Sequence, residues 1–102
     1  AVSANRPEGA VELATLVKSP EKYADKTVKV FGKVIKVNPN IMDRNWLHIQ
    51  DGTANDYDFV LTSSKVVPVG HSMSFEGIIR IDKDFGAGYK YNIIMENAQP
   101  LQ

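Results

Sequence analysis

The sequence predicts an all-β domain, a small five-stranded barrel with a short N-terminal helix. Five segments alternate apolar and polar residues and are bounded by turn signals, which predicts five strands. Two of the segments contain an internal glycine, Gly32 and Gly77, typical of the sharp bends that close a small barrel. A β-sandwich more often has seven strands, so the barrel fits better.

The N-terminal region divides into a linker-like stretch and a helix. Residues 1–9 are small, polar and interrupted by proline and glycine, so we expect a flexible leader or an interdomain linker. Residues 10–102 then form one domain, because a chain of 102 residues has room for one core only. Apolar residues over 10–17 recur near helical spacing, and Pro20 ends this predicted helix.

The first strand is expected to be long and strongly bent. Its apolar phase shifts after Gly32 to Ile35 and Val37, which predicts a one-residue bulge at the glycine. An Asp51-Gly52 turn then predicts a hairpin between the second and third strands. The five predicted strands cover residues 27–37, 45–50, 57–63, 72–81 and 89–96.

Composition limits the possible functions. Twelve Lys and Arg residues balance twelve Asp and Glu residues, so the basic excess of a duplex-DNA binder is missing. The chain has no cysteine, which excludes disulfides and thiolate metal sites. No apolar run approaches the ~20 residues of a membrane-spanning helix, so no transmembrane segment is predicted.

Several blocks of the chain resemble a known family. Residues 70–77 resemble the usual entry to strand four of OB folds, and two further blocks cover 32–53 and 82–91. Over about residues 11–98 the chain is similar to a family of bacterial exported OB-fold proteins, labelled nucleic-acid-binding proteins or lipoproteins. The resemblance implies a five-stranded OB-fold barrel in the periplasm or envelope. Asp43 and His71 depart from the family pattern, which has glycine and aspartate there.

The OB resemblance also implies a ligand face. In OB folds this face is the outer surface of strands two and three, rimmed by the loops between strands one and two and between four and five. If Leu47 and Ile49 face the core, Trp46 faces outward and can stack a base or a sugar ring. Alternatively, the helix or a long loop covers it. The candidate ligand-binding residues are Lys33, Arg44, Trp46, His48, Gln50, Lys83, Phe85, Tyr89 and Lys90.

Metal and catalytic sites are not expected. The acidic residues near Asp51 do not follow the EF-hand spacing, and His48 and His71 have no partners at zinc-ligand spacing. The Asp-Phe-Gly tripeptide at 84–86 is expected to be a tight turn, because no other kinase motif accompanies it. No serine lies in a nucleophile-elbow pattern, so we expect no enzyme and no cofactor.

Two functions stay open at this point. The first is a non-catalytic OB-fold binding module that holds single-stranded nucleic acid, or another extended polymer such as an oligosaccharide, across strands two and three. The second is an exported structural or protein-interaction domain of the bacterial envelope, whose partner is another envelope protein. The OB resemblance favours the first, whereas the zero net charge and the linker-like N-terminal residues favour the second. Asp43 also weighs against phosphate binding, because it adds negative charge beside Arg44.

Overall fold

A computed structural model describes residues 7–101, apart from the side chain of Asp56, and its strands form one sheet. Most of the predicted leader, residues 1–6, lies outside this range. A short helix, α1, spans Leu13–Lys18, and 3₁₀ turns occupy Pro20–Lys22 and Ala54–Asp56. The strands are β1 (Thr27–Ile41), β2 (Arg44–Gln50), β3 (Phe59–Ser63), β4 (Ser72–Asp84) and β5 (Lys90–Leu101).

The five strands hydrogen-bond in the order β1-β2-β3-β5-β4, and β4 also pairs with β1, so the order returns to its start. All neighbours are antiparallel except β3 and β5, which run parallel and meet at Leu61 and Met95. The prediction of a mainly β chain with a five-stranded sheet and a short N-terminal helix is confirmed. Strands β1 and β4 are longer than predicted because their pairing continues into the hairpins. Strand β5 is longer because its C-terminal residues pair with the first residues of β4, as Leu101 does with Ser74.

The main core lies on the inward side of the sheet. Leu47 and Ile49 have no exposed surface, as the alternation of β2 predicts. A second apolar cluster forms on the opposite face around Trp46. Alternation along β5 predicts that Tyr91 shares a face with Ile93 and Met95, but Tyr91 packs against this second cluster. The buried members of the main core are Leu13, Leu16, Val28, Val30, Val34, Leu47, Ile49, Phe59, Leu61, Val67, Phe75, Ile79, Ile93, Met95 and Ala98.

The bulge in β1 lies later than predicted. The pairing register of β1 with β2 shifts between Val34 and Lys36, so the extra residue is Ile35 and not Gly32. Gly32 has a different role, because a Cβ there would lie 3.1 Å from the carbonyl oxygen of Gln50. The glycine therefore permits a close approach of the two strands.

Gly77 lies at a bulge, as its position inside β4 suggests. The register of β4 with β5 shifts between Glu76 and Ile78, on either side of the glycine. A Cβ at this position would lie 2.6 Å from the Cγ atom of Met95, so only glycine fits without displacement of its neighbours.

Helix α1 is held by the loop after β2. The backbone N–H of Leu13 donates to the Asp51 carboxylate at 2.9 Å, and that of Ala14 donates to the Thr53 hydroxyl at 3.0 Å. These are two of the N–H groups that a helix N-terminus leaves without internal partners. The helix begins three residues later than predicted, at the point where these acceptors are available. In the part of the chain described, no helix has the length and apolar character of a membrane span.

Candidate ligand-binding surface

Two hairpins meet at the outer face of β2. Met42 and Asp43 form a two-residue turn between β1 and β2, and both have positive φ angles, 55° and 61°. Positive φ at both central residues is typical of a type I′ hairpin turn, which aspartate tolerates well. This accounts for aspartate where the resembled family has glycine.

The second hairpin joins β4 to β5. The N–H of Phe85 donates to the carbonyl oxygen of Tyr89 at 2.8 Å, and the N–H of Tyr89 donates to that of Gly86 at 2.9 Å. Gly86 and Gly88 both have positive φ, so the loop forms a tight turn, as the sequence predicts. The turn brings Phe85 and Tyr89 to the same side of the hairpin.

Trp46 is covered by this second hairpin. Its ring centroid lies 5.0 Å from that of Phe85, 5.1 Å from that of Tyr89 and 5.8 Å from that of Tyr91. The side chain faces away from the main core, as predicted, but only 1% of the residue is exposed. The expectation of an exposed tryptophan is therefore wrong, and the alternative of a covering loop is correct. Packing against three rings removes the large apolar surface of the indole from water.

Arg44 and Lys83 border this aromatic cluster. The guanidinium carbon of Arg44 lies 5.0 Å from the ring centroid of Phe85 and 5.9 Å from that of Trp46. The Nζ atom of Lys83 lies 5.4 Å from the Phe85 centroid. Both distances to Phe85 are within the range of cation–π attraction, so the two cations are held beside the hairpin.

Three cations lie around the carboxylate of Glu96, on the same side of the sheet as the aromatic cluster. Its Oε1 atom lies 3.6 Å from Arg44, and its Oε2 atom lies 3.6 Å from Arg80 and 3.7 Å from Lys83. Arg80 also pairs with Asp25 at 2.6 Å. Three cations against two carboxylates leave one positive charge in excess. We call Arg44, Arg80, Lys83 and Glu96 the cationic group.

His48 and Gln50 belong to a separate group. The side-chain amide of Gln50 donates to the Asp58 carboxylate at 2.6 Å, and Nδ1 of His48 lies 3.6 Å from the same carboxylate. Lys33 is exposed and pairs in register with Gln50, so it lies near this group. Lys90 is also exposed, and it pairs with Asp84 at the base of the β4–β5 hairpin.

The nine predicted residues are therefore brought together only in part. The aromatic cluster and its border unite Arg44, Trp46, Lys83, Phe85 and Tyr89. The sequence analysis missed Arg80 and Glu96, which complete the cationic group. A signal existed for both, because Arg80 alternates with the core residue Ile79 and Glu96 shares a face with Ile94.

A polar pocket of about 330 Å³ opens beside the cationic group. Of its residues, only Arg44 is among the nine predicted ligand-binding residues. It is lined by Asp43, Arg44, Thr62, Ser63, Ser64, Glu96 and Asn97.

The comparisons with known proteins add no family assignment. Neither a protein-family model nor a curated protein matches the chain. The resemblance to exported OB-fold proteins thus stays a prediction. Among the side chains that the structure describes, no group of three or more histidine or acidic residues is placed to hold a metal ion.

Proposed function

We propose that this chain is a non-catalytic OB-fold module that binds an extended anionic polymer, single-stranded nucleic acid above all. The strand order β1-β2-β3-β5-β4, with β1 also paired to β4, supports an OB-fold barrel. The aromatic cluster lies between the β1–β2 and β4–β5 hairpins, which border the ligand face in that fold.

The cationic group carries this proposal. The whole chain has zero net charge, yet Arg44, Arg80 and Lys83 converge on the single carboxylate of Glu96. A local positive excess attracts phosphates even on a neutral protein, because screening limits the reach of distant charges to about 10 Å. The cations therefore offer a site for the backbone of a polymer.

The aromatic cluster offers the second contribution. Phe85, Tyr89 and Tyr91 are only partly buried, so their outer surfaces can receive a base. Stacking of a base on an exposed aromatic ring is worth ~1–3 kcal/mol. In this arrangement Trp46 supports the three rings from beneath, and the rings themselves contact the ligand.

Fluorescence anisotropy with a labelled single-stranded oligonucleotide tests the proposal. Lys83→Ala should weaken binding at low salt and reduce the salt dependence by about one phosphate contact. Lys18→Ala is the matched control, because Lys18 is an exposed lysine at the end of α1. Absence of binding at low salt, or equal affinity of the two variants, would overturn the proposal.

A structural or protein-interaction role in the envelope is the second candidate. The loop between β3 and β4 exposes two apolar residues, Val66 at 52% and Val69 at 59%. Two exposed apolar side chains on one loop are compatible with contact with another protein. This role predicts no oligonucleotide binding at any salt concentration.

Export to the periplasm or envelope, which the family resemblance implies, is tested by fractionation of cells that express the natural full-length gene.

A further inference from the structure

The polar pocket lies where the β1–β2 turn meets the end of β3 and the second half of β5. Asp43 and Arg44 supply one wall, the hydroxyl residues that end β3 supply another, and Glu96 and Asn97 supply the third. Its volume of about 330 Å³ is at the lower end of the range for small-molecule sites. The pocket therefore suits one ring-sized group.

Some of its polar groups have structural roles and others do not. The Ser63 hydroxyl donates to the carbonyl oxygen of Ala98 at 2.7 Å, so it holds β3 against β5. The backbone N–H of Asn97 donates to the Thr62 hydroxyl at 3.4 Å, whereas the side chains of Asp43, Ser64 and Asn97 make no hydrogen bond within the described part of the chain. These three groups are available to a ligand. The Nε–H of Arg44 donates to the carbonyl oxygen of Met42 at 3.1 Å and its Nη1 atom lies 3.6 Å from Glu96, so only the remaining N–H groups of the guanidinium are left for a ligand.

The charge of the lining favours a neutral ligand. Asp43 and Glu96 place two carboxylates in the pocket against the single guanidinium of Arg44. Because Asp43 offsets the charge of Arg44 on this side, a phosphate gains no net attraction in the pocket, in contrast to the side of Glu96 that faces Arg80 and Lys83.

Two neighbouring hydroxyl groups of a ligand would match the hydrogen-bond donors and acceptors of the pocket. A hydroxyl both donates and accepts, whereas a carboxylate only accepts and a guanidinium only donates. Carboxylates bind ribose hydroxyls in the same way in dinucleotide sites. We infer that this pocket binds a sugar ring through two adjacent hydroxyl groups, with Asp43 as acceptor and Arg44 and Asn97 as donors.

The sugar has two possible sources that share this chemistry. One is the terminal ribose of a single-stranded RNA, and the other is a free neutral saccharide. The inference stands apart from polymer binding, because a neutral sugar does not need the positive excess of the cationic group.

Nuclear magnetic resonance titration of the isotope-labelled chain with methyl ribofuranoside tests the inference. Saturable shifts are expected at the residues that line the pocket, and none with the dideoxy analogue that lacks both hydroxyls. Asp43→Asn should weaken binding about tenfold, the effect of losing one charge-assisted hydrogen bond. Asp82→Asn is the matched control, since Asp82 is also exposed and also has a positive φ, 49°. Equal shifts with the dideoxy analogue, unchanged affinity of Asp43→Asn, or no saturable shift would overturn the inference.

A second comparison identifies the source of the sugar. If the pocket receives an RNA end, an oligonucleotide with a terminal ribose should bind more tightly than one with a terminal dideoxyribose. Equal affinities, with riboside binding retained, would identify a free saccharide. If no oligonucleotide binds at all, the anionic-polymer proposal fails. The riboside titration then still decides whether the pocket binds a sugar ring.

Discussion

The indole N–H of Trp46 donates a hydrogen bond of 2.9 Å to the backbone carbonyl oxygen of Ile41. This bond ties β2 to the end of β1 beneath the rings of the β4–β5 hairpin. Because Trp46 also contacts Phe85 and Tyr89, one side chain links both hairpins that border the candidate surface. The stability of that surface therefore depends on Trp46.

Trp46→Phe should lower the free energy of unfolding by about 2 kcal/mol, because the variant loses the indole hydrogen bond and leaves space among the rings. Urea denaturation followed by circular dichroism measures the change. Tyr57→Phe is the control, since Tyr57 is 39% exposed and outside the cluster. Equal effects of the two substitutions would contradict the anchoring role.

The covering of Trp46 shows how far the sequence can predict this site. Alternation along β2 correctly places Leu47 and Ile49 inside and Trp46 outside. It does not reveal what packs on the outer face, because the partners come from a hairpin some 40 residues later. The path of that hairpin depends on the bulge at Gly77, whose effect on direction the sequence does not specify.

The cationic group was harder to predict for a related reason. Alternation assigns Arg80 and Glu96 to outward positions, but their meeting depends on register. The shift at Gly77 pairs Glu96 with Ile78. If the register is unknown, the sequence does not show that Glu96 lies beside Arg80. The strand segments themselves can be predicted from local patterns alone.

Asp51→Asn should destabilise the fold by about 2 kcal/mol. The buried carboxylate accepts hydrogen bonds from the N–H groups of Leu13 and Thr53, so an amide would place its own N–H₂ against a donor. Chemical denaturation should compare Asp51→Asn with the control Asp58→Asn, which changes an exposed aspartate. A loss of less than about 0.5 kcal/mol for Asp51→Asn would show that α1 does not depend on this cap.

Gly77→Ala should cost about 3 kcal/mol, because the new methyl group would lie 2.8 Å from the carbonyl oxygen of Glu96 and closer still to Met95. Gly32→Ala is the matched comparison, since Gly32 is also a strand glycine without positive φ. Its nearest side-chain neighbour, the Cδ1 atom of Ile49 at 3.1 Å, can move aside. Thermal unfolding of both variants should rank Gly77→Ala as the more severe, and the reverse order would contradict the close packing of β4 on β5.

The free energy of unfolding should fall at alkaline pH because Tyr91 loses its phenolic proton. Burial, followed by the neighbouring Tyr89, raises the pKa of Tyr91 above its ordinary value of 10.0. Above pH 10 the unfolded chain loses this proton first, so unfolding releases a proton and stability falls as pH rises through the native pKa. Tyr91→Phe should show a smaller alkaline loss than the natural chain in denaturation at several pH values. An identical pH dependence would contradict the raised pKa.

Glu96→Gln should change the two proposed binding activities in opposite directions. The substitution removes the one carboxylate that Arg44, Arg80 and Lys83 share, so oligonucleotide affinity should rise severalfold and salt dependence should steepen. Glu96 also lines the polar pocket, and the substitution replaces one of its acceptor oxygens by an N–H₂ donor, so methyl ribofuranoside should bind more weakly. Anisotropy and resonance titrations on one protein sample measure both effects. Glu76→Gln is the control, because Glu76 is exposed on β4 outside the cationic group. A parallel loss of both activities would instead indicate that Glu96 acts only by holding the surface together.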